Sequence, residues 1–250
     1  MSVEAYLHKI CTVFQNRLGS NLVGIYLHGS LAMECFHPEN SDVDILVIIK
    51  DKIPKELKKK IIQDLLALNE YPLEMSILLE HEVIELHHPT PFELHYSKVH
   101  RDRYLNDPHY ICGDSVDPDL AAHLVVTYER GKCLFGKSIK EVFKPVPPTH
   151  YLQSIMYDIE NAEQEIVKNP VYYTLNLCRV LYYIKEGVVA SKKEGGEWGM
   201  NAVDERYKEI VKNSLAIYLG SKEEIRWDNS LLIRFAKNML SEIRSNQTYR

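Results

Sequence analysis

Short apolar runs separated by turns fill the first 150 residues of the chain, and helical stripes fill the rest. Residues 3–17 set Ala5, Ile10, Val13 and Phe14 at near-helical spacing before Gly19, which predicts an amphipathic helix with a glycine stop. Three segments, NLVGIYLH (21–28), SDVDILVIIK (41–50) and LEMSILL (73–79), are apolar and rich in β-branched residues, and predict strands. Between the second and third, Pro54 to Leu68 carries Leu57, Ile61, Leu65 and Leu68 as the stripe of a Lys-rich helix. Asp117-Pro118 predicts an N-cap followed by proline at the first helical position. Leu120, Leu124 and Tyr128 recur behind it, and Gly131 closes the helix.

The segment KPVPPTH (144–150) changes the pattern. Its three prolines neither continue a helix nor join a central strand. Beyond it, Leu152, Ile155, Met156, Ile159 and Ile166 form one stripe, residues 171–186 a second one ended by Gly187, and residues 201–218 and 223–244 two more. The reading is an α/β domain over 1–148 and an all-α helical bundle over 149–250. No repeat or low-complexity tract interrupts either.

Composition narrows the function classes. The chain has 250 residues, 45% hydrophobic and 26% charged, with a formal charge of −5, as in an ordinary globular protein. Nucleic-acid phosphate contacts come from a surplus of Lys and Arg, so a nucleic-acid partner is not expected. Five scattered cysteines without a CxxC pair predict reduced thiols and a cytoplasmic protein. The N-terminus lacks the apolar core of a signal peptide. No uncharged apolar stretch approaches the roughly 20 residues that span a bilayer.

Against this plain background one stretch stands out, YLHGSLAMECFHPENSDVDILVIIK (26–50). An apolar run ends in Gly29-Ser30, eleven residues follow, and Asp42 and Asp44 then stand alternately in another apolar run. Alternate strand residues share a face, so the two carboxylates project together while Val43 points away. A bare DxD is most often a solvated strand end. Here, burying two like charges unpaired would cost several kcal/mol unless a cation sat between them. Oxygen-only ligands suit Mg²⁺, which shares its shell with water and substrate phosphates. Gly29-Ser30 supplies a tight turn whose N–H groups and hydroxyl suit an anion. A third carboxylate, Glu74, opens the next strand. Together these describe a nucleotidyl-transfer site, in which metal ions stabilise attacking and leaving oxygens in line. The histidines of residues 81–109 (His81, His87, His88, His95, His100, His109) lack a zinc spacing such as HExxH.

Strand-Gly29-Ser30, the spacer and Asp42-Val43-Asp44 resemble the signature of DNA polymerase β-like nucleotidyltransferases. PLEMSIL (72–78), SVDPDLAAHLV (115–125), LFGKSIKEVFKPVP (134–147), TLNLCRVLYYIKEGVVASKKEGGEW (174–198) and AIYLG (216–220) are similar to segments of the aminoglycoside 3″- and 9-O-adenylyltransferases. The resemblance implies an α+β nucleotidyltransferase domain, a small mixed sheet with flanking helices, followed by the helical domain. It implies adenylyl transfer from ATP to a drug hydroxyl, with release of pyrophosphate. By it, Asp42 and Asp44 hold Mg²⁺, Ser30 and Ser41 contact the ATP phosphates, and Glu74 is the general base. Arg179 and Lys192 bind phosphates, with Lys193 able to trade places with Lys192, and Tyr218 contacts the nucleotide. The implied partners are ATP and an aminoglycoside or aminocyclitol, with no membrane and a monomeric chain.

Two departures bear on the acceptor. Val99 stands where streptomycin-binding members carry tryptophan, and Asn169 stands where they carry an aspartate; KNPVY (168–172) replaces their acid-rich segment. Losing an aromatic platform and a carboxylate weakens the grip on a guanidinium-bearing ring, which favours spectinomycin and its 9-hydroxyl over streptomycin and its 3″-hydroxyl. Two alternatives stay open: the same chemistry on another small or macromolecular acceptor, and a nucleotide sensor on the same scaffold.

Overall fold

A computed structural model describes residues 1–247. The chain divides into two compact units that part between Tyr151 and Leu152. This point lies inside a helix, Pro148–Tyr157, that starts on the last proline of the KPVPPTH segment.

The first unit is built on a five-stranded mixed sheet. Its strands are β1 (Leu22–His28), β2 (Val43–Ile49), β3 (Leu73–Leu79), β5 (Leu94–Tyr96) and β7 (Lys132–Gly136), ordered β5-β3-β2-β1-β7. Two further strands, β4 (Thr90–Phe92) and β6 (Ser115–Asp117), form a separate antiparallel pair. Only β2 and β3 run parallel, because the helix Lys55–Leu66 carries the chain back between them; the other neighbours in the large sheet are antiparallel.

Both faces of the central strands are covered, which explains why β1–β3 read as continuous apolar runs rather than alternating ones. On one face Ile45, Val47, Ile49, Met75 and Ile77 pack with Tyr6, Ile10 and Phe14 of the helix Val3–Leu18 and with Ile61 and Leu65. On the other, Tyr26, Leu46, Ile48 and Leu78 pack with Leu120, Leu124, Val142 and Phe143. Asp44 and Glu74 are the half-exposed positions of β2 and β3, at the strand starts where the second face opens.

Several expected details shift. In the first helix the buried stripe is centred on Tyr6, Ile10 and Phe14, and Ala5 is exposed. Leu57 and Leu68 are only partly buried, whereas Lys58 is 2% exposed, because Glu93 (3.2 Å) and Asp114 (2.7 Å) neutralise its ammonium. Asp117 does not cap a helix. It ends β6, its carboxylate accepts the Asp119 N–H at 2.9 Å, and the helix begins at Leu120.

The second unit is helical. Pro170–Glu186 starts with proline at its first turn and ends at Gly187, which has φ +75° as a left-handed C-cap. Lys208–Tyr218 and Asn229–Gln247 pack against it through Val211, Phe235 and Met239. The stripe expected over 152–166 is broken after Tyr157, with a short helix at Ala162–Glu165. A helix the glycines had hidden occupies Lys192–Ala202. Ser191 and Glu194 close its first turn as a capping box. Gly195 and Gly199 are its contact points with the helix Pro170–Glu186. A Cβ on Gly195 would lie 2.9 Å from Arg179 Cα, and one on Gly199 2.7 Å from Cys178 Sγ. The glycines cost helix propensity but let the two axes approach closely.

Candidate active site

The strand register assembles the first cluster. Asp44 lies opposite Glu74 across the parallel β2–β3 pair and opposite His28 across β1–β2. Directly paired residues share a face, so His28, Asp44 and Glu74 form one row. Asp42 sits one residue ahead of β2, two positions from Asp44.

Gly29, with φ +61°, turns the chain at the end of β1. A Cβ there would fall inside the Asp44 carboxylate, so only glycine both adopts the left-handed backbone and admits Asp44 at this place. Beside it, Ser30 Oγ is buried without a hydrogen-bond partner. A buried hydroxyl left unpartnered is costly, and a bound phosphate oxygen would satisfy it. Ser41 Oγ accepts the His37 N–H at 3.2 Å and closes the loop ahead of Asp42. Among the described residues, no group of three or more His, Cys, Asp or Glu side chains is disposed to hold a metal ion. The carboxylates of Asp42 and Asp44 are a donor set compatible with Mg²⁺ completing its shell with water and phosphate.

The structure adds His123 to this cluster. This residue lies on the inward face of the helix Leu120–Arg130, with Nε2 at 3.2 Å from Asp119 Oδ2 and 4.0 Å from Glu74 Oε1. Its ring stands 4.9 Å from that of His28. Burial opposes a charge on His123, but Asp119, Glu74 and Asp44 outweigh it and push its pKa up to about 10. His28 is driven well below its ordinary range by burial and by the charge on His123. The one available signal was a histidine in register with Leu120, Leu124 and Thr127 on a buried helical face.

A second cluster lies within the helical unit. Arg179 Nη2 is 3.3 Å from Asp158 Oδ2, and Tyr172 donates its hydroxyl to Asp158 Oδ1 at 3.2 Å. Lys192 opens its helix with its ammonium 5.0 Å from the centre of the Tyr172 ring. The close approach at Gly195 packs this helix on Arg179, and Tyr172 meets both Asp158 and Lys192, whereas Lys193 pairs with Glu197 at 3.8 Å. Tyr218 ends the helix Lys208–Tyr218 and is partly buried.

Residues 7–99 match the family model described as the nucleotidyltransferase domain, and residues 141–242 match that of the aminoglycoside adenylyltransferase C-terminal domain. The chain carries a nucleotidyltransferase domain followed by the C-terminal domain of the aminoglycoside adenylyltransferases. It is, accordingly, a nucleotidyltransferase. It is 24% identical to the aminoglycoside (3″)(9) adenylyltransferase of Escherichia coli, over 89% of this chain and 87% of the relative. It is 25% identical to the spectinomycin 9-adenylyltransferase of Staphylococcus aureus, over 91% of each. Its fold matches that of the spectinomycin adenyltransferase of Enterococcus faecalis, solved with ATP and spectinomycin. The TM-score is 0.83 at 22% identity, covering 96% of this chain and 100% of that one. The expected fold, a mixed-sheet nucleotidyltransferase domain followed by a helical one, is the fold seen here. None of the helices among the described residues is long and apolar enough to cross a membrane.

Proposed function

We propose that this protein transfers the adenylyl group of ATP to a hydroxyl of an aminoglycoside or aminocyclitol, with spectinomycin and its 9-hydroxyl favoured, and releases pyrophosphate. The observation that carries the reading is the cross-strand pairing of Asp44 with Glu74 beside the Gly29-Ser30 turn. It sets a cation-holding carboxylate next to a proton-accepting one, at a buried hydroxyl suited to phosphate.

The acceptor oxygen attacks the α-phosphorus, the bond to the pyrophosphate oxygen breaks, and Glu74 takes the hydroxyl proton. Asp42 and Asp44 would hold Mg²⁺, which when bound offsets charge on the transferring phosphate and the leaving pyrophosphate. Ser30 and Ser41 contact phosphate oxygens, Arg179 and Lys192 bind the triphosphate, and Tyr218 contacts the nucleotide. Relatives named for spectinomycin support the acceptor class. Val99 is 86% exposed and Asn169 caps the helix Pro170–Glu186 without a side-chain bond. Neither supplies an aromatic wall or a carboxylate for a guanidinium, which favours spectinomycin over streptomycin.

The test is pyrophosphate release from purified protein with MgATP and either drug. Spectinomycin-dependent release, abolished by chelation of Mg²⁺ and by Glu74→Gln, is the expected result. Release that ignores both drugs would overturn the acceptor assignment, and absence of release with any hydroxylated acceptor would overturn the chemistry.

A further inference from the structure

The general base proposed above faces a side chain that its own strand does not supply. Glu74 Oε1 lies 4.0 Å from His123 Nε2, on the helix that covers this face of the sheet. At that distance the contact is electrostatic. The hydrogen bond of Nε2 goes to Asp119 Oδ2 at 3.2 Å, one helical turn back. Asp119 is itself held, because its N–H donates to Asp117 Oδ1 at 2.9 Å where β6 ends. The His28 ring, buried at 3% exposure, stands against that of His123 at 4.9 Å. A chain of contacts thus runs from the end of β6 through Asp119 to His123 and ends at Glu74.

We propose that His123, anchored by Asp119 and set against His28, is the positioning residue for Glu74. The inference rests on Glu74 being the base for adenylyl transfer. A carboxylate two bonds beyond its Cβ has several rotamers to choose from even beneath a covering helix, and in the metal-free protein Asp44 beside it repels it. One fixed cation draws Glu74 towards the helix and offsets that repulsion in a setting where burial strengthens both effects. Misplacement of a reacting group by about 1 Å costs on the order of 100-fold in rate, so the orientation of Glu74 is where His123 acts. His123 touches no reacting atom in this scheme and takes no proton.

The test compares wild type with His123→Leu, His123→Lys and Glu74→Gln, using MgATP and spectinomycin. His123→Leu is expected to lower kcat about 10- to 100-fold, with KM for ATP and the melting temperature little changed. His123→Lys, which restores a cation, is expected to recover part of the loss. Equal losses in both variants together with a lower melting temperature would reduce His123 to a packing role. Wild-type kcat in His123→Leu, alongside an inactive Glu74→Gln, would overturn the inference and leave the proposed reaction standing. A second readout holds even if wild type fails to turn over spectinomycin. The ¹³C signal of the Glu74 side-chain carboxyl, identified by its loss in Glu74→Gln, is followed at pH 7.5 without metal. It is expected to move in His123→Leu and return towards wild type in His123→Lys. A signal unmoved by His123→Leu would overturn the positioning role on its own.

Discussion

The two units bring charged groups together by opposite means. In the first, carboxylates 30 positions apart in the chain, Asp44 and Glu74, become neighbours because two strands pair in one register. In the second, cations 13 positions apart, Arg179 and Lys192, are linked through Asp158 and Tyr172 where two helices cross at glycines. Register is all or none, since a slip of one residue turns a side chain to the other face. A helix crossing is graded, since axes move apart by fractions of an ångström as contacts grow. Damage to the first cluster should therefore appear as lost turnover, and damage to the second as weakened nucleotide binding with some loss of stability.

The largest effect is expected at Asp44. If Asp44 holds the metal as proposed, Asp44→Asn removes a charge worth several kcal/mol in the transition state, so kcat should fall about 1,000-fold or more, with thermal stability unchanged or raised. Steady-state kinetics beside a melting curve checks both halves; a fall of under tenfold would remove Asp44 from the metal site. Next comes Gly29→Ala, which leaves every carboxylate in the sequence but forces Asp44 aside and places a Cβ at φ +61°. A loss on the order of 100-fold in kcat is expected, together with about 1–2 kcal/mol of stability. Near-normal rates would show that Asp44 has room to relax.

Smaller still is Gly195→Ala. Alanine gains up to about 1 kcal/mol of helix propensity, yet its Cβ meets Arg179 Cα at 2.9 Å. Overpacking of this kind costs about 1–3 kcal/mol, so a net loss of stability is expected, with a several-fold higher KM for ATP and little change in kcat. A stabilised protein with unchanged KM would mean that the crossing does not set Arg179 and Lys192. The smallest effect is a pH dependence. His95 is pushed down to about 4 by burial, then by the charges of His100 and His123, and Ser76 Oγ bonds its Nδ1 at 2.9 Å. Between pH 6.5 and about 4 the unfolded chain takes up a proton that folded His95 refuses. Stability is therefore lost as pH falls through that window, and urea titrations of wild type and His95→Gln should diverge only there.

How far the sequence foretold this depends on the range of the signal. β1, β2 and β3 were legible because buried apolar runs bounded by turns are local patterns, and LEMSILL coincides with β3 residue for residue. The Gly29-Ser30 turn and the Asp42–Asp44 pair were legible for the same reason. The helix Lys192–Ala202 was hidden because Gly195, Gly196 and Gly199 weaken helix propensity, and their use lies in a partner helix that no local pattern displays. Lys58 was placed outside the stripe by residue type, although Glu93 and Asp114, far along the chain, make its burial tolerable. His123 and Asp119 escaped for a related cause: the histidine looked like one more residue on an apolar helical face, and Glu74 lies 49 positions earlier.

The parallel seam between β2 and β3 has a consequence for how this protein can fail. Displacing β3 by a single position would still leave a ladder of amide bonds and a largely apolar sandwich, so the product would be compact and protected. Glu74 would then be thrust among Ile45 and Val47, and Leu73 or Met75 would stand beside Asp44 in its place. Inert yet folded molecules of that sort would pass a solubility screen and melt with measurable cooperativity, so yield alone is a poor gauge of working enzyme.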